Sequence, residues 1–319
     1  MGLPSQSTIL GRVRHTLEQY GEGSLARQLE MSFGLSGGSG WAERNGLVSA
    51  VQSYQPTLPA AVYSCGVDQS GNPLLIKESM ISDELILLPN SKSTYIIDEF
   101  RKFWELSDQF ETNGFIHKRG FFLIGPAGSG KTSIIQLLCK ELIKDDGIVL
   151  FLESPTVAYS CLRMIRSVEP NRKLICILED LDSLIKNYEE ADFLSLFDGE
   201  KSIDHVVFLA TTNYPEDIDK RFLDRPSRFD QVITVELPEL EDRLYFFEQR
   251  TKGLDTSTLQ DWAEKTKGFG IAHLKEVIIS VQCFGYGFAQ TIERLKSQKK
   301  TMTSEKMHKT KVGFGEVDK

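Results

Sequence analysis

At 319 residues and 36.0 kDa the chain is long enough for about two domains with real hydrophobic cores, which excludes a small disulfide scaffold. Its 37 Lys and Arg stand against 45 Asp and Glu, a net charge of −8, so the chain as a whole is no polycation built to hold a nucleic-acid backbone. With 40% apolar and 26% charged residues it has the composition of a folding chain rather than a disordered one.

In chain order, residues 1–90 read as a small α+β domain of their own, suited to docking a client or partner. They offer a helix near Ile9–Tyr20, a Gly/Ser break over Gly34–Gly40 and a hairpin across Asp68–Pro73. No apolar stretch approaches the roughly 18 to 20 residues that cross a bilayer, and Met1–Gln19 lacks the apolar core of a signal peptide. No membrane segment and a cytoplasmic location are expected. Tyr95–Phe110 then places Ile96, Ile97, Phe100, Phe103, Trp104 and Phe110 on one broad helical face, whose apolar side must pack on the sheet domain downstream.

Five short apolar runs come next: Phe121–Ile124, Ile148–Leu152, Leu174–Leu178, Val206–Ala210 and Val232–Val235. Continuous runs of this kind suit a parallel sheet covered on both faces, and helical periodicity over Ser133–Leu142 and Leu184–Phe197 supplies the covering layers. Residues 91–238 are thus predicted to form an α/β core around a five-stranded parallel sheet. After Pro238 only helical patterns remain, over Leu240–Arg250, Ser257–Lys265, Ile271–Val281 and Tyr286–Lys296, a helical lid spanning 239–298. Residues 299–319 read as a polar, partly basic tail. The five cysteines, Cys65, Cys139, Cys161, Cys176 and Cys283, are scattered, form no CxxC pair and fit neither a disulfide framework nor a zinc site.

Gly125-Pro126-Ala127-Gly128-Ser129-Gly130-Lys131-Thr132 satisfies GxxxxGK[ST] in full, directly after one apolar run and before the helix that opens at Ser133. Glycines let backbone N–H groups close around phosphates, the helix N-terminus adds a favourable dipole, Lys131 reaches the β and γ phosphates, and Thr132 binds Mg²⁺. The ligand this chemistry suits is a nucleoside triphosphate. Leu174–Leu178 delivers Glu179-Asp180, with Asp182 just beyond, at the place where a second acidic element is needed. Most such pairs run Asp then Glu; here the order is reversed, so Glu179 is expected to take the metal and Asp180 to polarise the attacking water. Asn213 follows the next run as a polar amide within reach of the γ phosphate or the water. Arg225 and Arg228 flank Pro226 in a segment too rigid and too distant in chain order to serve their own phosphate loop, and they suit a neighbour's.

Those motifs together resemble an AAA ATPase module over about residues 95–296: the phosphate loop, the acidic pair, the Ala-Thr-Thr-Asn sensor at 210–213, the Arg-Pro-Ser-Arg-Phe-Asp segment at 225–230, then a helical lid. The resemblance implies ATP with Mg²⁺, Arg225 and Arg228 acting as fingers on ATP held by the adjacent subunit, and a homo-oligomeric ring, usually a hexamer. Within the family, Lys118–Leu123 leading into the loop, the Glu-Asp-Leu-Asp order at 179–182 and the short insert between Glu153 and Lys173 resemble the subgroup of the mitochondrial Rieske-protein translocase ATPase. That subgroup implies work on a protein client; its membrane helix is absent here, and no aromatic-apolar-Gly pore triplet appears. The lid segment Gly268–Leu274 lacks the sensor-2 arginine of clamp loaders, which leaves His273 an adenine-side or packing residue. An AAA ATPase working on nucleic acid, or a nucleotide-gated scaffold, stands as the alternative.

Overall fold

The computed structural model describes residues 40–44, 47–51, 57–79, 85–90, 92–188, 190–197, 203–223 and 228–311. The chain divides into two compact units, 1–58 and 59–319. In the first, β1 (Gly40–Arg44) and β2 (Leu47–Val51) form an antiparallel pair with Gly40 opposite Val51. The helix expected near Ile9–Tyr20 lies outside the described residues, as does the Gly/Ser break before Gly40.

The second unit is built on a seven-stranded sheet, where five strands were expected. Its order is β4 (Pro73–Glu78), β3 (Val62–Val67), β6 (Ile148–Phe151), β7 (Leu174–Leu178), β8 (Val206–Thr212), β5 (Lys118–Ile124) and β9 (Gln231–Thr234). All neighbours run parallel except β3 and β4, the hairpin expected across Asp68–Pro73, which turns where Asp68 accepts from the backbone N–H groups of Ser70 and Asn72. The expectation of a separate N-terminal domain reaching to residue 90 does not hold for this hairpin: β3 pairs in parallel with β6, so residues from 59 onward belong with the sheet. The physical reason is edge pairing: β6 has one side open, and the backbone groups of Val62–Ser64 satisfy it. Every residue of β7 and β8 is buried, as their unbroken apolar runs require.

Helices cover the sheet: α1 (Ser93–Glu105), α2 (Ser107–Thr112), α3 (Lys131–Lys144), α4 (Pro155–Val168), α5 (Leu181–Asn187), α6 (Glu190–Phe197) and the short α7 (Lys220–Leu223). The single helix expected over Tyr95–Phe110 is two, parted at Leu106, whose N–H turns back to the Phe103 carbonyl. The predicted face is otherwise as expected: Ile96, Ile97, Phe100, Phe103 and Trp104 join Leu138, Leu142, Ile175 and Val207 in one core. That core carries a titratable passenger. His117 is 2% exposed, stacks on Phe103 with ring centroids 4.0 Å apart and has Nε2 2.8 Å from the Phe103 carbonyl, which it reaches as a donor in the neutral ring. Burial pulls its pKa below the ordinary histidine value, against the smaller opposite pull of the Phe103 carbonyl. A histidine depressed in the folded state contributes stability that is present above its unfolded pKa and lost as pH falls through the folded one. The thermal midpoint is therefore expected to decline below about pH 6.5, the ordinary histidine value, and His117→Gln, titrated by calorimetry, to flatten that decline.

The lid comprises α8 (Leu240–Arg250), α9 (Thr256–Lys265), α10 (Ile271–Ile278), a π turn (Ile279–Cys283) and α11 (Phe288–Lys311). The last helix continues past 298 into the expected tail. Phe246, Phe247, Trp262, Phe269, Leu274, Val277, Ile292 and Leu295 make a second core, and Leu88 from the strand-free segment 85–88 inserts into it. Asn90 fastens the end of that segment, its backbone N–H bonding Asp242 at 2.9 Å and its amide bonding Glu241 at 2.7 Å. Among the described residues no helix is long and apolar enough to cross a membrane.

Candidate nucleotide-binding site

Strand β5 ends at Ile124, and the glycine loop runs from there into α3, whose N-cap Gly130 takes φ 109°. Gly128 takes φ 78°, and both conformations are ones a side chain with a Cβ adopts only under strain. The loop lies against a cleft of about 990 Å³ between the carboxyl ends of the strands and the lid. Ala127, Gly128, Ser129, Gly130, Lys131, Thr132 and Ser133 line it, with Glu179, Asp180 and Asn213 opposite. Gly125 and Pro126, also expected to hold the ligand, lie behind the loop and do not line the cleft; their carbonyls accept from Lys131 Nζ at 2.7 and 3.2 Å.

Lys131 is 7% exposed, and its third acceptor is Asn213 Oδ1 at 2.7 Å. Burial draws its pKa below the usual lysine range, with Asp180 and then Asp182 acting in opposition. Asn213 turns its other end to Asp180, Nδ2 donating to Oδ1 at 3.2 Å. The amide thereby reads a cation with its oxygen and a carboxylate with its nitrogen, an ordering only one flip state satisfies. Asp180 sits in left-handed backbone, φ 48° and ψ 55°, held by its N–H on Thr211 Oγ1 at 3.2 Å. Glu179 hydrogen-bonds Thr132; burial keeps its carboxyl above the ordinary glutamate range, the Thr132 bond working the other way. Asp182 is not a cleft residue. It is 4% exposed, accepts from Thr212 Oγ1 at 2.6 Å, and fixes the turn at which β8 delivers Asn213.

Whether these residues fit a triphosphate with Mg²⁺ is tested by the loop itself. Ser129 Oγ is buried with no hydrogen-bond partner, and the loop's glycines leave its N–H groups unscreened by side chains. A buried hydroxyl costs free energy unless something accepts from it, and a phosphate oxygen does. The donor set fits.

Of the expected arginines, Arg225 lies outside the described residues. Arg228 is 6% exposed, donates through Nη1 to the Arg221 carbonyl and does not line the cleft of its own chain. Its backbone runs tight against β5: a Cβ on Gly120 would meet the Arg228 carbonyl oxygen at 2.0 Å. His273, expected at the adenine side or in packing, has its ring centroid 5.3 Å from Phe269 and lies near Gly128 without lining the cleft. Sequence reasoning missed the lid's contribution. Ile271, Ala272, Lys275 and Ile278 line the cleft along one side of α10, continued by Ile279 of the π turn and joined by Phe246 and Arg250 of α8 and by Leu85, Ile86 and Leu88. The spacing 271, 272, 275, 278, 279 is a single helical face, a signal that was present in the sequence. The lid also touches the loop directly: Ile271 N–H donates to the Gly128 carbonyl at 2.8 Å, and a Cβ on Gly270 would meet that oxygen at 2.3 Å.

A mostly parallel sheet with a glycine loop between β5 and α3, and an acidic pair at the end of a neighbouring strand, defines the P-loop nucleoside-triphosphatase class. Residues 121–237 match the family described as ATPase family associated with various cellular activities (AAA), and the chain carries an AAA ATPase domain. It is similar to the probable mitochondrial chaperone bcs1 of Schizosaccharomyces pombe, 30% identical over 157 residues, which is 46% of this chain and 34% of that protein. It is also similar to the ATP-dependent zinc metalloprotease FtsH of Hahella chejuensis, 28% identical over 221 residues, 61% of this chain and 35% of that one. The Cell division cycle protein 48 homolog of Archaeoglobus fulgidus is 29% identical over 187 residues, 52% of this chain and 25% of that one. The chain spans about a third of the first two relatives and a quarter of the third. The bcs1 match agrees with the subgroup resemblance carried by Lys118–Leu123 and Glu179–Asp182.

Proposed function

We propose that the chain is an ATPase that works as a ring oligomer, with ATP at the subunit interface, to remodel or move a protein partner. The observation that carries the catalytic part is the hydrogen-bonded line Lys131–Asn213–Asp180 along the cleft. It sets a phosphate-binding cation, a polar sensor and a carboxylate in register on three different elements. Ser129, Lys131 and the N–H groups of the glycine loop hold the phosphates; Thr132 and Glu179 would hold Mg²⁺, which when bound neutralises phosphate charge. Asp180 accepts the proton of the attacking water, and Asn213 orients both that carboxylate and Lys131. The apolar residues Leu85, Ile86, Ile278 and Ile279 suit a base, while Arg250 and Lys275 add positive charge from the lid.

The Arg-Pro-Ser-Arg-Phe-Asp segment serves the neighbouring subunit. Buried Arg228 anchors it to β5 and α7, and Arg225 is the finger. Relatives named as a chaperone and a protease support a protein client over a nucleic acid. Asp180→Asn is expected to keep ATP binding while lowering turnover by about 10² to 10⁴, the usual contribution of a general base. Filter binding alongside steady-state phosphate release separates the two. Normal hydrolysis by this variant would transfer the base role to Glu179.

A further inference from the structure

Helix α4 packs across the β3–β4 hairpin at the far edge of the sheet from β5, and its contact there is a cysteine. Cys161 is buried, with Sγ 3.4 Å from the Leu74 carbonyl and 3.8 Å from that of Gly66. Leu74 and Gly66 face each other across the hairpin, and the adjoining rung pairs Cys65 with Leu75. The Cys161 sulfur therefore lies against the Gly66–Leu74 rung, next to the one that holds Cys65. Cys65 alternates with Val62 along β3 and so lies on the face turned away from the core that Val62 joins, and of all groups it is Cys161 that perturbs its thiol most. A Cβ on Gly66 would meet the Leu74 and Ile76 side chains, so that face of the hairpin is theirs and the neighbouring Cys65 points to the other. Cys65 is half-buried, so a small oxidant reaches the pair from solvent, whereas Cys139 and Cys176 are buried.

We propose that Cys65 and Cys161 form an oxidative modification site, closing under peroxide to a disulfide that staples the β3–β4 hairpin to α4. In the first step the Cys65 thiol gives up its proton to solvent and its sulfur attacks hydrogen peroxide; an S–O bond forms, the O–O bond breaks, and the departing hydroxide recovers a proton from solvent as water. The Cys161 sulfur then displaces that oxygen; the S–S bond forms, the S–O bond breaks, and a second water leaves with the Cys161 proton. The sulfur pair loses two electrons, and peroxide is reduced to two waters. The Cys161 contact, followed by burial, pushes the Cys65 thiol well above the ordinary cysteine range, so the staple closes slowly beside an exposed thiol such as Cys283. Once closed, it joins two segments far apart in sequence and restricts the unfolded chain.

The test uses the full chain carrying Cys283→Ser, which removes the exposed thiol that would bridge molecules. It is treated with hydrogen peroxide, alkylated and digested without reductant, and its peptides are identified by mass spectrometry. The expected product is a Cys65–Cys161 bridged peptide pair, formed at a rate independent of protein concentration and released by dithiothreitol. The oxidised chain is expected to melt at a higher temperature than the reduced one. Cys65→Ser, at the half-exposed position that folding tolerates best, should yield no bridge and no rise. Recovery of Cys65 and Cys161 as separate alkylated or over-oxidised peptides overturns the proposal, as does a bridge to Cys139 or Cys176. A bridge that leaves the melting temperature unchanged or lowers it overturns the stapling role.

Discussion

Lys131→Ala is expected to remove ATP binding measurable by titration calorimetry with a non-hydrolysable analogue. The ammonium is held by two loop carbonyls and by Asn213, all within 3.2 Å, so its position at the mouth of α3 is fixed by backbone rather than by a flexible contact. Each charge-assisted hydrogen bond it makes to a phosphate oxygen is worth about 1.5–3 kcal/mol, roughly tenfold to a hundredfold in affinity. The substitution also strips Asn213 Oδ1 of its donor, which loosens the amide that orients Asp180. Binding and hydrolysis fall together in this variant, whereas Asp180→Asn separates them. Unchanged affinity would mean that the glycine loop alone carries the phosphates, and the catalytic reading would fail with it.

Arg225→Ala should lower turnover by about 10³ to 10⁵, the range for an arginine finger in P-loop enzymes, while ATP affinity stays close to that of the parent chain. The asymmetry comes from where the residue acts. A guanidinium supplied by a neighbour meets charge that develops during phosphoryl transfer and contributes little to the bound ground state. Two consequences are measurable. Specific activity of the unmodified chain is expected to rise with protein concentration, since on the proposed arrangement a lone subunit lacks the finger. Mixing Arg225→Ala with Lys131→Ala is expected to restore part of the activity, because the second variant would bring an intact arginine to the first variant's intact loop. Flat specific activity across the dilution series, together with no rescue on mixing, would defeat shared sites.

The catalytic half of the molecule is the half the sequence states most openly. A loop of glycines between an apolar run and a helix has few physical uses, and the strands β7 and β8, buried at every position, announce themselves as unbroken apolar words. The hairpin was harder to place. β4 is half-exposed or exposed throughout, so its pattern resembles a free-standing ribbon, and only the open edge of β6 tells that it joins the main sheet. Leu85–Leu88, four consecutive apolar residues, forms no strand: Leu88 serves the lid core while Leu85 and Ile86 line the cleft. Arg228 shows a third limit, since a motif names its residues without saying which is buried. The Asp180–Asn213 bridge spans 33 positions and depends on the left-handed turn after β7, information that no local pattern carries.

The hydrogen bond from the Ile271 N–H to the Gly128 carbonyl makes the phosphate loop a fulcrum for the lid. Beyond that point lies α11, 24 residues long and so about 36 Å from end to end. A pivot of about 5° at the loop swings the far tip of such a rod by about 3 Å. A displacement of one carbonyl would thereby be geared up to the scale of a side chain at the far end of the lid.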